Sequence, residues 1–398
     1  MPHAPPLGAL LRQYAAGSAL ACDPVDQGLL NRGYRLRTTR GRYFLKHHFD
    51  PETAAPEAIA RQHRATQRLA ALGVPVAPPF PARDGRTVAV VGGHAYALHP
   101  WIEGRHRHGS QLTAAQCGRL GALLGVVHAS LERVMPLQGR AGTEQSARAD
   151  GGVRGDAGAP DTAPHHRTPL PLCHAPARAA GARAEEPHAG HPTAEASDPD
   201  AGSVDTGPVD GGADPATTFA LIDDLLARVR RHRPADSFDE LARHRLLERR
   251  ALLEQHVGRR PPHSGPVGWV HGDFHPFNLL YRGDAPAAIV DWDRLGVKPR
   301  AEEAVRAAAI FFVRPAGTLD LPRVRAYARA YRRTAGATPS ELAAAVHRVW
   351  WERLNDFWML RWHYERGDTR ADPQFPAASA LVVWWTREYD AVCDAFAG

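Results

Sequence analysis

The stretch Trp269-Val270-His271-Gly272-Asp273-Phe274-His275-Pro276-Phe277-Asn278-Leu279-Leu280-Tyr281, followed by Ala288-Ile289-Val290-Asp291-Trp292-Asp293, decides how this chain is read. An apolar strand delivers a loop that carries an aspartate and, five positions later, an asparagine. Leu279 to Arg282 then reads as a strand, Gly283-Asp284-Ala285-Pro286 as a turn, and Ala287 to Val290 as the returning strand. That hairpin brings Asp291 back beside Asn278. A carboxylate, an amide oxygen and a second carboxylate therefore face one small volume. Amide and carboxylate oxygens suit Mg²⁺, a hard cation that keeps several waters and completes its shell with phosphate oxygens. Asp273 is then free to orient an attacking hydroxyl and accept its proton. His275 is read as a hydrogen-bonding member of the loop, and Asp293 as a polar residue behind the metal position.

Upstream, Tyr34-Arg35-Leu36-Arg37-Thr38 and Tyr43-Phe44-Leu45-Lys46 alternate as strands about a turn at Arg40-Gly41. A helix is predicted from Pro56 to Leu72, stopped by Gly73. Val88 to Val91 and His94 to Leu98 form a second hairpin about Gly92-Gly93. Leu112 to Val134 reads as a helix opened by Thr113 as its cap. Downstream of a long irregular segment, Phe219 to Arg233 and Phe238 to Val257 are amphipathic helices. A strand-rich centre runs from Gly268 to Trp292, and helices continue from Arg300 to the end. Sheet first and helices later predicts an α+β protein of two lobes.

The chain has 398 residues, with 36 glycines and 34 prolines. Much of that excess lies in residues 138–217, where no aromatic residue or isoleucine occurs between Met135 and Phe219. Such a segment cannot offset its ordering entropy, so it is expected to be a disordered insertion whose histidines are solvated. The formal charge is +6, but all except two of the 49 basic residues are arginines spread along the chain. Dispersed charge of this kind predicts no nucleic-acid partner. Lys46 and Lys298 stand out as the two lysines, candidates for a role that needs a compact ammonium. No apolar run approaches the ~20 residues of a membrane span, so no membrane partner is expected. The first residues lack a basic segment followed by an apolar run, which argues against a cleaved signal peptide. Four scattered cysteines offer no disulfide framework, and a reduced, cytoplasmic protein is expected.

The HGDFHPFN segment resembles the H-G-D-x-x-x-x-N catalytic loop of the aminoglycoside phosphotransferase and choline kinase superfamily, with its protein-kinase-like fold. IVDWD stands where protein kinases carry D-F-G. The homoserine kinase type II, spore-coat kinase and stress-response kinase branch is the most similar. The resemblance implies ATP and Mg²⁺ as cofactors, with Asp273 as catalytic base, Asn278 and Asp291 as metal ligands, and His271 ordering the loop. Lys46 falls where the strand lysine holds the ATP phosphates. Tyr96 to Gly104 is similar to the hinge between lobes, so the Pro100 carbonyl would accept from the adenine amino group and the Ile102 N–H would donate to the ring. On this reading residues 1–103 form the nucleotide lobe and hinge, 104–137 begin the helical lobe, 138–217 are the insertion, and 218–398 complete the helical lobe. The activity implied is transfer of the γ-phosphoryl group to a hydroxyl of a small-molecule acceptor. A protein Ser/Thr kinase of the stress-response type and a nucleotide-binding pseudokinase scaffold are the alternatives.

The sequence departs from the family pattern at several points. Gln62 occupies the helix position expected to carry the glutamate partner of Lys46, with Glu57 and Glu52 as substitutes. Glu303 stands where the family carries an aspartate, and is expected to brace the loop. Lys298 is read as a surface lysine, and Asn31 as at most a residue that braces backbone. The C-terminal tryptophans are read chiefly as core, with Trp351, Leu354, Trp358 and Trp362 on one helical face. A lesser expectation is that some of them line the acceptor pocket.

Overall fold

Alternation decides the first lobe. In Arg32–Thr38 (β2), Tyr34, Leu36 and Thr38 are buried while Arg35 and Arg37 face solvent. β2 pairs antiparallel with Ala19–Val25 (β1) and with Gly41–His48 (β3), the latter register matching Tyr34 to Leu45 and Thr38 to Gly41. Ala89–Val91 (β4) and His94–Pro100 (β5) complete a five-stranded antiparallel sheet in the order β1-β2-β3-β5-β4. Leu10 and Leu11 of a short helix, Leu7–Gln13 (α1), pack with Tyr34, Leu36, Leu45, Tyr96 and Leu98 as the sheet's own core. Neither α1 nor β1 was expected from the sequence. Helix Pro56–Ala71 (α2) starts with proline at its first position, where the missing N–H costs nothing, and buries Ile59, Gln62, His63 and Leu69.

This computed structural model describes residues 4–25, 31–49, 55–137, 212–262 and 265–398. All of these except Leu137 belong to one compact unit made of residues 1–136 and 193–398. The predicted insertion lies outside the described residues from 138 to 211. Its predicted end at 217 needs correction. Asp214 caps a helix that already begins at Pro215 and runs to Arg231 (α4), its carboxylate accepting from the Thr217 N–H at 3.1 Å.

Pro100 and Tyr43 are partners at the end of the sheet, and the Trp101 N–H donates to Arg42 O at 3.3 Å. Four residues on, Arg105 exchanges two 2.9 Å backbone bonds with Tyr281. Tyr281 lies in the hairpin Leu279–Arg282 (β7) and Ala285–Ile289 (β8). The chain thus leaves the sheet lobe directly onto the predicted site hairpin. A second tie is the Ile289 N–H, which donates to Pro75 O at 2.8 Å just beyond α2.

Helix Ala114–Val134 (α3) opens with the predicted Thr113 cap. Thr113 accepts from the Gln116 N–H while the Gln116 side chain accepts from the Thr113 N–H at 2.8 Å. Val267–Val270 (β6) pairs antiparallel with Gly296–Pro299 (β9), a strand beyond the predicted end of the strand-rich centre. Arg300–Phe311 (α6), Leu321–Ala335 (α7), Pro339–Asn355 (α8), Phe375–Arg387 (α10) and Tyr389–Ala397 (α11) build the main core with α3. Ser237–His256 (α5) and α4 share a second core with Trp358–Arg361 (α9). The expected single tryptophan face is therefore wrong. α8 ends at Asn355, so Trp351 and Leu354 pack in the first core and Trp358 and Trp362 in the second. The tryptophans are nonetheless core: Trp350, Trp351 and Trp385 are essentially inaccessible. Among the described residues no helix is long and apolar enough to cross a membrane.

Candidate active site

β6 ends at Val270, and the loop that follows is fixed by buried acceptors and donors. Glu303 on α6 accepts from the backbone N–H groups of His271, at 3.2 Å, and Gly272. His128 of α3 approaches the same carboxylate at 2.7 Å through Nε2, and the Tyr331 hydroxyl at 3.0 Å through Nδ1. Burial pushes the Glu303 carboxyl up, but these hydrogen bonds and the neighbouring imidazoles outweigh it and hold the group below its ordinary value. The glutamate thus braces the loop, as expected.

His271 is fully buried. Its Nδ1 accepts from the Asp273 N–H at 3.2 Å, so Nε2 carries the proton and donates to Val290 O at 3.0 Å. One imidazole therefore joins the Asp273 loop to the end of β8, as its ordering role requires. Gly272 adopts a left-handed backbone (φ 85°), and a Cβ there would sit 2.0 Å from Arg294 O. Only glycine satisfies both constraints.

The Asn278 Nδ2 donates to Asp273 O at 2.9 Å and lies 3.2 Å from His275 Nε2. The Asn278 backbone carbonyl accepts from the Val290 N–H at 2.9 Å. The side-chain amide therefore spends its donor inward, and Oδ1 is the atom that could hold a metal. His275 Nδ1 accepts from the Phe277 N–H, and its Nε2 lies 3.4 Å from Asp273 Oδ2. This is the bonding role expected of it. Asp291 follows immediately after Val290, with φ 59°, a conformation unusual for a non-glycine residue.

Lys46 reaches this loop from β3. Its Nζ is 2.6 Å from Asp291 Oδ1 and 2.6 Å from Asp293 Oδ2. Burial disfavours the ammonium, but the two aspartates outweigh it and hold the group above its ordinary value. Asp293 is fixed in turn: Asn31 Nδ2 donates to its carboxylate, and Gln62 Nε2 donates to its backbone carbonyl at 2.9 Å. The Asn31 side chain also accepts from the Phe49 N–H at 2.8 Å.

The expected partners of Lys46 thus need correction. Glu57 is exposed at the start of α2 and Asp293 stands in its place, while Glu52 lies outside the described residues. The sequence held one signal for this: a buried lysine facing Gln62 needs a carboxylate from elsewhere, and Asp293 lies two positions past Asp291. Lys298 is likewise not a simple surface residue. It is half-buried on β9, and burial together with Arg306 and Arg294 lowers its pKa. Pro100 and Ile102 flank the point where β5 gives way to the linker, both partly buried. A cavity of about 300 Å³ lies elsewhere, lined by Arg300, Glu302, Tyr331 and Arg348, and includes none of the loop residues.

A sheet lobe whose strand lysine meets an aspartate-bearing loop of a helical lobe defines a protein-kinase-like fold. The chain belongs to the phosphotransferase enzyme family (APH), whose family model matches residues 21–337. Homoserine kinase of Bartonella tribocorum is 28% identical over 131 residues, which is 32% of this chain and 38% of that protein. The chain therefore spans well under half the length of this curated relative. Spectinomycin phosphotransferase APH(9)-Ia, solved with ADP and spectinomycin, matches at TM-score 0.55 and 10% identity, covering 96% of this chain and 97% of the other. The microcompartment-associated aminopropanol kinase matches at TM-score 0.51 and 15% identity, covering 98% and 99%. At such identities these two likenesses speak for the fold.

Proposed function

We propose that this chain transfers the γ-phosphoryl group of Mg-ATP to a hydroxyl of a small-molecule acceptor. The reading is carried by one observation: Lys46 of the sheet lobe lies 2.6 Å from Asp291, on the hairpin that also holds Asn278 and the Asp273 loop. Lys46 would grip the α- and β-phosphates as a point charge. Asn278 Oδ1 and the Asp291 carboxylate are a hard-oxygen pair of the kind Mg²⁺ prefers, and the ion would neutralise charge on the transferring group. Three aspartates against one lysine leave the site net negative, the sign that draws in a divalent cation. Pro100 O and the Ile102 N–H would hold the adenine at the hinge.

Asp273 would align the acceptor hydroxyl and take its proton as oxygen attacks phosphorus. Catalysis in such a site comes from positioning and electrostatics. The homoserine kinase relatives make compact amino alcohols and hydroxy amino acids the first acceptors to try. Asp273→Asn is expected to bind ATP as the parent does and to lose about 10²- to 10⁴-fold in transfer rate. Calorimetry with ATP and a coupled ADP assay across homoserine, aminopropanol, aminoglycosides and sugars check this. Parent-like turnover in the variant would refute the role of Asp273. Label from ATP appearing only on proteins of a cell extract would refute the small-molecule acceptor.

A further inference from the structure

Away from the phosphotransfer site, among the described residues, His232, Asp239 and His363 each bring one ligand atom within 4.8 Å of the others. His232 follows the last turn of α4, Asp239 lies in the first turn of α5, and His363 sits on a π-helical turn, Trp362–Arg366, that follows α9. Turns of that type are rare and concentrate at functional sites. From this geometry we infer that His232, Asp239 and His363 form a binding site for Zn²⁺, separate from the phosphotransfer site.

The surroundings suit a metal better than an ordinary surface polar cluster. His363 Nδ1 lies 2.8 Å from Asp372 Oδ2, which fixes the tautomer and leaves Nε2 as the ligand atom. Carboxylate–histidine pairs of this sort orient imidazoles at zinc sites. Phe238 stacks on the His363 ring at 4.3 Å and holds its plane. Asp239 is buried, and its carboxylate is oriented by the Tyr364 hydroxyl at 2.7 Å and by the Asp236 N–H at 3.0 Å. His232 Nδ1 already stands 3.0 Å from both Asp239 oxygens. Two ligands of a tetrahedral zinc are about 3.3 Å apart at bond lengths near 2.05 Å. His232 and Asp239 already stand near that spacing, and His363, within 4.8 Å of both, would close by up to about 1.5 Å. Among the described residues, Asp372 Oδ1 and both polar atoms of the Gln374 side chain are buried without a hydrogen-bond partner. That leaves unspent polarity beside the site.

Two imidazoles and one carboxylate are borderline ligands that suit Zn²⁺ over Mg²⁺. The half-exposed edge of His232 leaves the fourth position to water. Because the ligands come from three separate segments, a bound ion would clamp the α4–α5 pair to the turn after α9.

The test uses the full chain, freed of metal by chelation and titrated with Zn²⁺ by calorimetry, with Co²⁺ absorption reporting geometry. One equivalent is expected to bind, raising the melting temperature and giving a four-coordinate Co²⁺ spectrum. His232→Gln and His363→Asn should each abolish that equivalent, and Asp372→Asn should weaken it about 10- to 100-fold. The melting temperature of each metal-free variant, compared with that of the metal-free parent, controls for folding. Zn²⁺ binding that survives both histidine variants, or an octahedral Co²⁺ spectrum, would overturn the assignment. So would absence of stoichiometric binding to the folded parent.

Discussion

Lys46 is almost wholly buried, and a lone ammonium there would carry a desolvation cost of several kcal/mol. Two carboxylates at 2.6 Å change that, and they come from one three-residue segment, Asp291 to Asp293, rather than from α2. The consequence is specific. Where a helix supplies the counter-ion, moving the helix disarms the lysine; here Asp293 ties it to the loop that carries Asp291, so the lysine and the proposed metal ligand move as one. Asp291 keeps a left-handed backbone that glycine would adopt without strain, at a cost on the order of 1 kcal/mol. A carboxylate retained at such a position points to a need for its charge. Asp293→Asn should leave Lys46 paired with Asp291 and the fold intact, yet let the lysine lose its second anchor. We expect kcat/KM for ATP to fall about 10- to 100-fold, or roughly 1.4–2.7 kcal/mol, mostly through KM. Steady-state kinetics with varied ATP check it, and an unchanged KM and kcat would remove Asp293 from the site.

Helices α3 and α7 carry the loop-bracing residues His128 and Tyr331, so their separation sets where Glu303 sits. They approach through glycine: a Cβ on Gly121 would stand 2.1 Å from Tyr327 O, a backbone atom that cannot swing aside. Gly121→Ala should therefore force the helices apart and destabilise the chain by about 1–3 kcal/mol, measurable as a lower urea midpoint. A midpoint equal to the parent's would mean that the pair tolerates the added methyl. Elements like these were legible where local chemistry is decisive. Thr113 with Gln116 announces the start of α3, Pro56 that of α2, and the Asp273-to-Asn278 spacing the site loop. β1 was not legible because its Ala-Leu-Ala-Cys-Asp-Pro-Val sequence shows no alternation, and only an edge pairing makes it a strand. β9 is four residues long and owes its form to β6. The Asn31–Asp293 contact spans 262 residues of sequence, a distance over which no local pattern operates.

Taken as a whole, the molecule couples its sheet to the rest through a layer that is unusually rich in imidazole. His48 and His63 lie between the sheet and α2 with ring centroids 6.3 Å apart, and His99 is 5.7 Å from His63. Among the described residues neither ring nitrogen of His48 has a hydrogen-bond partner, while His63 Nδ1 is 2.8 Å from Thr87 Oγ1. Burial first, then the neighbouring His99, Lys46 and each other, pull His48 and His63 down to about 2, and burial pulls His99 to about 4. These rings stay neutral when folded but take up protons when unfolded, below an ordinary value of about 6.5. Since the unfolded chain then binds more protons, stability rises with pH up to that value. Stated in reverse, it is intact above about pH 6.5 and is lost progressively as pH falls through the acid range. His48 and His63 together should cost about 3 kcal/mol between neutrality and pH 5.5. Urea midpoints at pH 7.5 and 5.5 measure the loss. His48→Leu, which removes one such group and satisfies an apolar surround, should shrink the difference between the two midpoints by about 1.4 kcal/mol. Equal pH sensitivity in parent and variant would show that His48 is not among the groups whose protonation unfolds the chain.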